Sequence, residues 1–265
     1  MNNDSSKLVL RHRSEKKHDP DATICECVAD FQPEWVAVGF PGHGLVGNIA
    51  AKHMIQELNL EWIGSIRSPH IPPVSVFIDG ILTYPYRIYG DKDQKLMVMI
   101  GEAPCPPQAY YFLAHALLEW AIEIGTRQVI CMDGFIDTQG KTSTDSVYLV
   151  AEPQFYKEDP ELIAHEFPKP HTGFISGLSG AIMNEALLTS ILGYTFLIPV
   201  AGSYPDPGGA AKLVQAIGKV KNIEIDVSRL LKDAEQIQKS LMELADRNRQ
   251  ITQSEGLIPS KGLYV

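Results

Sequence analysis

Cysteine is scarce. The 265 residues hold four, Cys25, Cys27, Cys105 and Cys131, at spacings that fit neither a disulfide framework nor a zinc site. Cys25 and Cys27 with the distant His12 and His18 do not make a recognised zinc pattern, so no metal is expected. A reducing cytoplasm is the simplest compartment. Basic residues are also short: 23 Lys and Arg against 32 Asp and Glu give a net charge of −9. That disfavours a phosphate-neutralising surface and hence a nucleic-acid partner. No apolar run reaches the length of a membrane span, and the N-terminus lacks the apolar core of a signal peptide, so no membrane is expected. No Ser/His/Asp or Cys/His order stands out, so no catalytic set and no cofactor are assigned.

What remains is an ordinary globular balance, 45% hydrophobic and 21% charged, able to bury a sizeable core. Met1 to Ala22 is polar and mixed in charge and reads as a mobile arm. Glu34 to Phe40, bounded by Pro33 and Pro41, reads as a buried strand. Gly42-His43-Gly44-Leu45-Val46-Gly47 follows, then a helical stretch from Asn48 to Leu58 and a strand from Trp62 to Ile66. Strand, glycine turn and helix match the order of a dinucleotide-binding turn. Such a fold needs an acid at the end of the second strand to hold a ribose. The chain has Ser65-Ile66-Arg67-Ser68 there, with Arg67 suited only to a phosphorylated ribose. The plainer reading is that the glycines allow a tight turn and close packing of helix on sheet.

Val74 to Ile78 and Ile81 to Tyr89 flank Asp79-Gly80, which predicts a β-hairpin with a type I′ turn. Leu96 to Gly101 is a further strand. A proline-rich loop leads into a helix from Gln108 to Ile124, and Arg127 to Met132 is a central strand. Gly140-Lys141-Thr142 nearly completes a phosphate-binding loop, but Phe135 stands where its first glycine belongs, and a strand rather than a helix is expected after it, over Thr144 to Val150. Glu158 to His165 reads as a short helix. The small-residue turn Ser176 to Gly180 precedes a helix from Ala181 to Leu192. A strand from Tyr194 to Ala201 and a rigid turn from Gly202 to Pro207 lead to a helix from Gly208 to Val220. Asp133, Asp137, His171 and Asp206 fall at strand ends or loops, where α/β sites usually sit.

Asp226 to Ile251 is the clearest periodic segment. Val227, Leu230, Ala234, Ile237, Leu241, Leu244, Asn248 and Ile251 step by three and four, as along a coiled-coil seam. Such a stripe either packs on its own domain or pairs subunits. Ser254 to Gly262 carries Gly256, Pro259 and Gly262 without periodicity and reads as a leash. Twelve residues, Ser254 to Val265, span at most about 40 Å. The chain then ends Leu263-Tyr264-Val265, an apolar residue, a tyrosine and a terminal carboxylate, which on their own read either as an ordinary chain end or as a tip suited to a partner's pocket.

Four stretches together resemble the proteasome assembly chaperone family, which includes archaeal homologues of the second eukaryotic chaperone subunit. They are Gly39 to Gly47; Gly101-Glu102-Ala103-Pro104 with Pro106-Pro107; Ile175 to Gly180, including Gly177, Ser179 and Gly180; and Tyr204 to Ala211, including Pro205, Asp206 and Pro207. The resemblance runs over roughly Gln32 to Asp246. His43 departs from it, standing where the family more often has an apolar residue. It implies a three-layer α/β/α fold with a central mixed sheet, similar to nucleoside phosphorylases but without their catalysis. It implies a homo-oligomer or paralogue hetero-oligomer that binds the α subunits of the core proteasome. Some archaeal members end in a hydrophobic-Tyr-any tail that docks between α subunits, a pattern that Leu263, Tyr264 and Val265 match. The expected organisation is an arm over 1–31, a core over 32–225, a helix over 226–253 and a docking tail over 254–265. The expected function is an ATP-independent chaperone or activator. The alternative is a nucleotide- or small-ligand-dependent enzyme built on Gly42, Gly44 and Gly47.

Overall fold

The computed structural model describes residues 23–26, 32–71, 73–91, 95–136, 146–158, 167–200 and 204–236. Their centre is an eight-stranded sheet. In chain order its strands are β1 (Thr23–Glu26), β2 (Trp35–Gly39), β3 (Glu61–Arg67), β6 (Tyr86–Asp91), β7 (Leu96–Gly101), β8 (Gln128–Phe135), β9 (Tyr148–Ala151) and β10 (Leu192–Pro199). A separate hairpin, β4 (Val76–Ile78) and β5 (Ile81–Thr83), forms a second, two-stranded sheet. The spatial order of the large sheet is β1-β3-β6-β7-β2-β8-β10-β9. The four central strands β7, β2, β8 and β10 are parallel, and the flanking pairs are antiparallel.

Parallel strands covered on both faces read as continuous apolar runs, and every residue of β2 and of β7 is buried. Alternation still divides them by face. Ala37, Val98, Ile130 and Met132 join one core with α1 (Val46–Glu57) and α5 (Pro207–Lys221). Val36, Val38, Met97, Met99, Val129 and Cys131 join the other with α2 (Tyr110–Glu123) and α4 (Gly177–Ala186). Each face thus carries one contacting helix pair, and the expected three-layer α/β/α architecture with a mixed sheet is present. A short helix, α3 (Phe155–Glu158), follows β9.

Several boundaries differ from expectation. The strand expected over Ile81 to Tyr89 is two strands, because Pro85 interrupts the ladder between β5 and β6. The small-residue turn at Ser176 to Gly180 is already helical from Gly177, and the helix stops at Ala186 instead of Leu192. Within the stretch expected to be an arm, Thr23–Glu26 pairs antiparallel with β3. The hairpin turn is as expected: Asp79 and Gly80 both hold positive φ, 51° and 79°, as a type I′ turn requires. The Gly140 to Thr142 stretch and most of the helix expected over Glu158 to His165 lie outside the described residues, with Glu158 ending α3.

The periodic C-terminal segment is helical over residues 228–236, here α6. The first positions of its stripe turn inward. Val227 and Leu230 are buried in the α1/α5 core, and Gly208 faces the Ala234 side chain. His53 Nε2 lies 2.6 Å from the Asp226 carbonyl oxygen, tying α1 to the start of this helix. These first positions therefore pack on the chain's own domain; Ile237 to Ile251 lie outside the described residues. Replacing Leu230 by Ala should cost about 2–5 kcal/mol in denaturant unfolding. The same change at the exposed neighbour Leu231 should cost under about 0.5 kcal/mol. Equal small effects at both positions would show that α6 is not part of the domain core.

Candidate functional site

The parallel strands β2, β7, β8 and β10 all end on the same edge of the sheet, where ligands bind in open α/β folds. There the chain gathers the four turns singled out in its sequence. The first begins at Gly39. A Cβ on Gly39 would lie 2.0 Å from the Gly47 carbonyl oxygen, and one on Gly47 would lie 2.2 Å from the Met132 carbonyl oxygen. Helix α1 therefore rests on β2 and β8 at backbone distance, which only glycine permits at these two positions. Between them the chain makes one 3₁₀ turn, His43–Leu45, with Gly44 and Leu45 at φ 62° and 52°. The Leu45 amide donates to the Gly42 carbonyl at 3.1 Å.

Each of the other three turns locks onto this one. From the second, the Gly101 carbonyl accepts from Asn48 Nδ2 at 2.5 Å, while the Phe40 ring occupies the space where a Gly101 side chain would stand. From the third, Ser179 Oγ donates to Asp133 Oδ2 at 2.9 Å. The other oxygen of that carboxyl, Oδ1, accepts the Gly134 amide at 2.8 Å and fills the space beside Gly42. From the fourth, the Asp206 amide donates to the Gly44 carbonyl at 2.9 Å. Asp206 then caps α5 through Oδ1, which accepts the Gly209 amide at 2.8 Å, with Pro207 in the first helical turn.

Electrostatically the junction centres on Asp133. Burial raises its carboxyl above the ordinary carboxylate value, against opposing hydrogen bonds from Ser179 and Gly134 and the nearby His43. The Cys131 thiol below it is raised by burial and then by the Asp133 charge, so it is an inert core residue. A dinucleotide-type turn needs open amides and room for phosphate. Here a carboxyl fills the space beside Gly42. A groove of about 830 Å³ lies elsewhere, along the second half of α5, and none of its lining residues belongs to the four turns. Among the described residues, no group of three or more His, Cys, Asp or Glu side chains is placed to hold a metal ion.

The site expected from sequence is thus partly assembled. Gly42, Gly44, Gly47, Ser179, Asp206 and Pro207 lie at or against one junction. Gly180 packs locally, its missing Cβ facing the Ile175 carbonyl at 2.3 Å. Gly177 starts α4 at φ 70°. Pro205 and His171 are exposed. Asp137 and the tail residues Leu263, Tyr264 and Val265 lie outside the described residues. Asn48 carried no signal in the sequence. Asp133 did, as a carboxylate ending an apolar strand, but nothing in sequence order paired it with Ser179.

A family model described as PAC2 matches residues 36–245. The chain belongs to the PAC2 family. The four turns of this PAC2 protein all fall inside the matched region. Among curated proteins it is 26% identical over 219 residues to the uncharacterized protein MJ0106 of Methanocaldococcus jannaschii, covering 83% of this chain and 88% of that one. Among solved structures it resembles Pyrococcus furiosus PbaA, described as an archaeal homolog of proteasome-assembly chaperone. The TM-score is 0.76 at 26% identity, over 88% of this chain and 96% of that one. It shares its fold with Pyrococcus furiosus PbaB, described as an archaeal proteasome activator, at a TM-score of 0.70 and 23% identity, over 85% of this chain and 99% of that one.

A carboxyl raised by burial holds its proton more tightly in the folded chain than in the unfolded one. The stability it carries is present below the unfolded carboxylate pKa and is lost as pH rises through the folded value. In Asp133→Asn the amide can replace the carboxyl's contacts without this charge. The variant should gain melting temperature over wild type near pH 8 and lose that advantage near pH 4. A difference that does not change with pH would place the carboxylate's cost elsewhere.

Proposed function

We propose that this protein is an ATP-independent, homo-oligomeric assembly chaperone or activator of the core proteasome, docking on the α-subunit ring through Leu263-Tyr264-Val265. The observation that carries this reading is membership of the PAC2 family together with likeness to PbaA over nearly the whole of both chains. The ending Leu263-Tyr264-Val265 supplies the contact. In a chain that ends at Val265, the terminal carboxylate pairs with a lysine between two α subunits. Tyr264 packs and hydrogen-bonds beside it, and Leu263 fills an apolar subsite. One such tail is a small contact. Several on one oligomer raise the effective concentration, worth roughly 10²–10⁴ in avidity where the geometry lets them engage together. The setting is a reducing cytoplasm.

In the same reading the four turns are structural. They join α1, α4 and α5 to one edge of the sheet through packing and internal hydrogen bonds. An enzyme working through Gly42 to Gly47 would need that space for its ligand, and Asp133 stands against Gly42.

Removing Leu263 to Val265 from the full chain should abolish co-sedimentation with core particles and any change in their peptide-hydrolysis rate, with melting temperature unchanged. Intact and shortened chains that behave alike would refute tail docking. A clear thermal shift with ATP or NAD(P) would restore the enzyme reading of the glycine turn.

A further inference from the structure

The large sheet has two edges, and the chain closes them differently. At one edge stands β9. Both backbone groups of its Leu149 are taken by the chain's own residues: the amide donates to the Pro168 carbonyl at 3.3 Å, and the carbonyl accepts from Tyr156 Oη at 3.2 Å. At the other edge the last long strand is β3, seven residues from Glu61 to Arg67. It is covered by β1, in the register Thr23↔Arg67, Ile24↔Ile66, Cys25↔Ser65 and Glu26↔Gly64. Four residue pairs are a small hold. Each hydrogen bond of such a ladder contributes little net of the water it displaces, and fixing four residues of backbone costs entropy of the same order. Elements held this lightly open locally, far below the free energy of global unfolding.

Without β1, β3 would be a hazardous edge. A bare row of strand amides and carbonyls is a template for pairing with another chain. Laid antiparallel on a second β3 and centred on Gly64, the strand sets Glu61 opposite Arg67, Trp62 opposite Ile66 and Ile63 opposite Ser65. Two-fold symmetry makes the Glu–Arg pair twice, once at each end, and both side chains are exposed. The β3 edge is therefore complementary to itself in charge as well as in backbone. The segment that covers it carries the opposite character. Glu26 lies within β1, and Asp19-Pro20-Asp21 stands just before it in the sequence, acids and a proline of the kind that discourages further strand addition.

We infer that β1 is a guard strand: it comes away from β3 while the rest of the domain stays folded, and in place it keeps the β3 edge from pairing with the β3 edge of another chain. That edge pairing is a side reaction which the guard suppresses, separate from any assembly through which the protein works. The inference asks two things of β1, light attachment and a protective effect, and each has its own readout.

Attachment is read by native-state hydrogen exchange on the full chain. The amides of Thr23–Glu26 should exchange roughly a hundredfold or more faster than those of β2 and β7. Protection is read by light scattering and sedimentation velocity on the full chain carrying Ile24→Pro together with Cys25→Pro. Strand amides alternate in direction, so one of these two faces β3 and is lost. The double variant should keep a cooperative transition with a melting temperature within about 3 °C of wild type, and should form species above wild-type mass at the same concentration. Adding Arg67→Glu sets two acids opposite each other at both ends of the β3 pair and should return the mass to that of wild type. Exchange of β1 as slow as that of β2, a proline variant whose core no longer melts cooperatively, a proline variant with wild-type mass, or association that survives Arg67→Glu would each overturn the inference. None of these readouts involves Leu263 to Val265 or the proteasome, so the guard and the tail stand or fall separately.

Discussion

At Gly39 and Gly47 helix α1 lies so close to the sheet that no side chain fits between them. A methyl group at Gly39 or at Gly47 would sit about 2 Å from a backbone oxygen, far inside any tolerable contact, and neither backbone can retreat without disturbing β2 or β8. This contact dictates the turn between strand and helix. The chain must reverse within a few residues, which places Gly44 and Leu45 in the left-handed region. Reversal turns the Gly44 carbonyl toward the Asp206 amide, and Asp206 in turn starts α5. On the other side the same turn leaves a slot beside Gly42, filled by the Asp133 carboxyl that Ser179 holds from α4. Three helices on two faces of the sheet are thus positioned from one close approach.

That arrangement explains why the glycine turn imitates a nucleotide site in sequence without resembling one in space. Strand, glycines and helix are needed for any close-packed crossover, whether or not a phosphate is to be bound. What distinguishes a phosphate cradle is room and a positive potential at the helix start. Here the Asp133 carboxyl fills the space beside Gly42, and the Gly44 carbonyl is taken by the Asp206 amide.

The sequence made the layers legible because the physics behind them is local. Buried parallel strands announce themselves as apolar runs between breakers, and the Asp79-Gly80 turn states its own geometry. The helix α2 is visible from Leu113, Leu117 and Trp120, all buried. Less visible was anything set by tertiary contact. Strand β1 has no apolar pattern of its own and exists by pairing with β3. The start of α4 is hidden because Gly177, Ser179 and Gly180 look like turn residues, yet Gly180 sits in the first helical turn where a Cβ would meet the Ile175 carbonyl oxygen at 2.3 Å. The stripe Val227, Leu230 and Ala234 has the period of a coiled coil, and period alone does not tell a partner helix from the chain's own α1/α5 layer. The junction itself was half legible: its glycines and prolines marked the four turns, but the pairings of Asp133 with Ser179 and of Asn48 with Gly101 join residues 46 and 53 positions apart.

The junction is spent on holding the fold, its carboxyls and carbonyls accepting hydrogen bonds from within it. The turn after β7 is consumed in the same way. Arg87, buried on β6, meets Glu102 at 2.6 Å and holds Thr83 through its other guanidinium nitrogen. A buried ion pair contributes little net stability compared with apolar packing, while losing either partner is severe. The pair therefore serves to fix where that turn lies against β6. On the proposed reading, a contact of three tail residues gains little affinity by itself, since ordering the chain that carries it costs conformational entropy that so small a contact barely offsets. Its usefulness depends on how many tails arrive together and how far apart they stand.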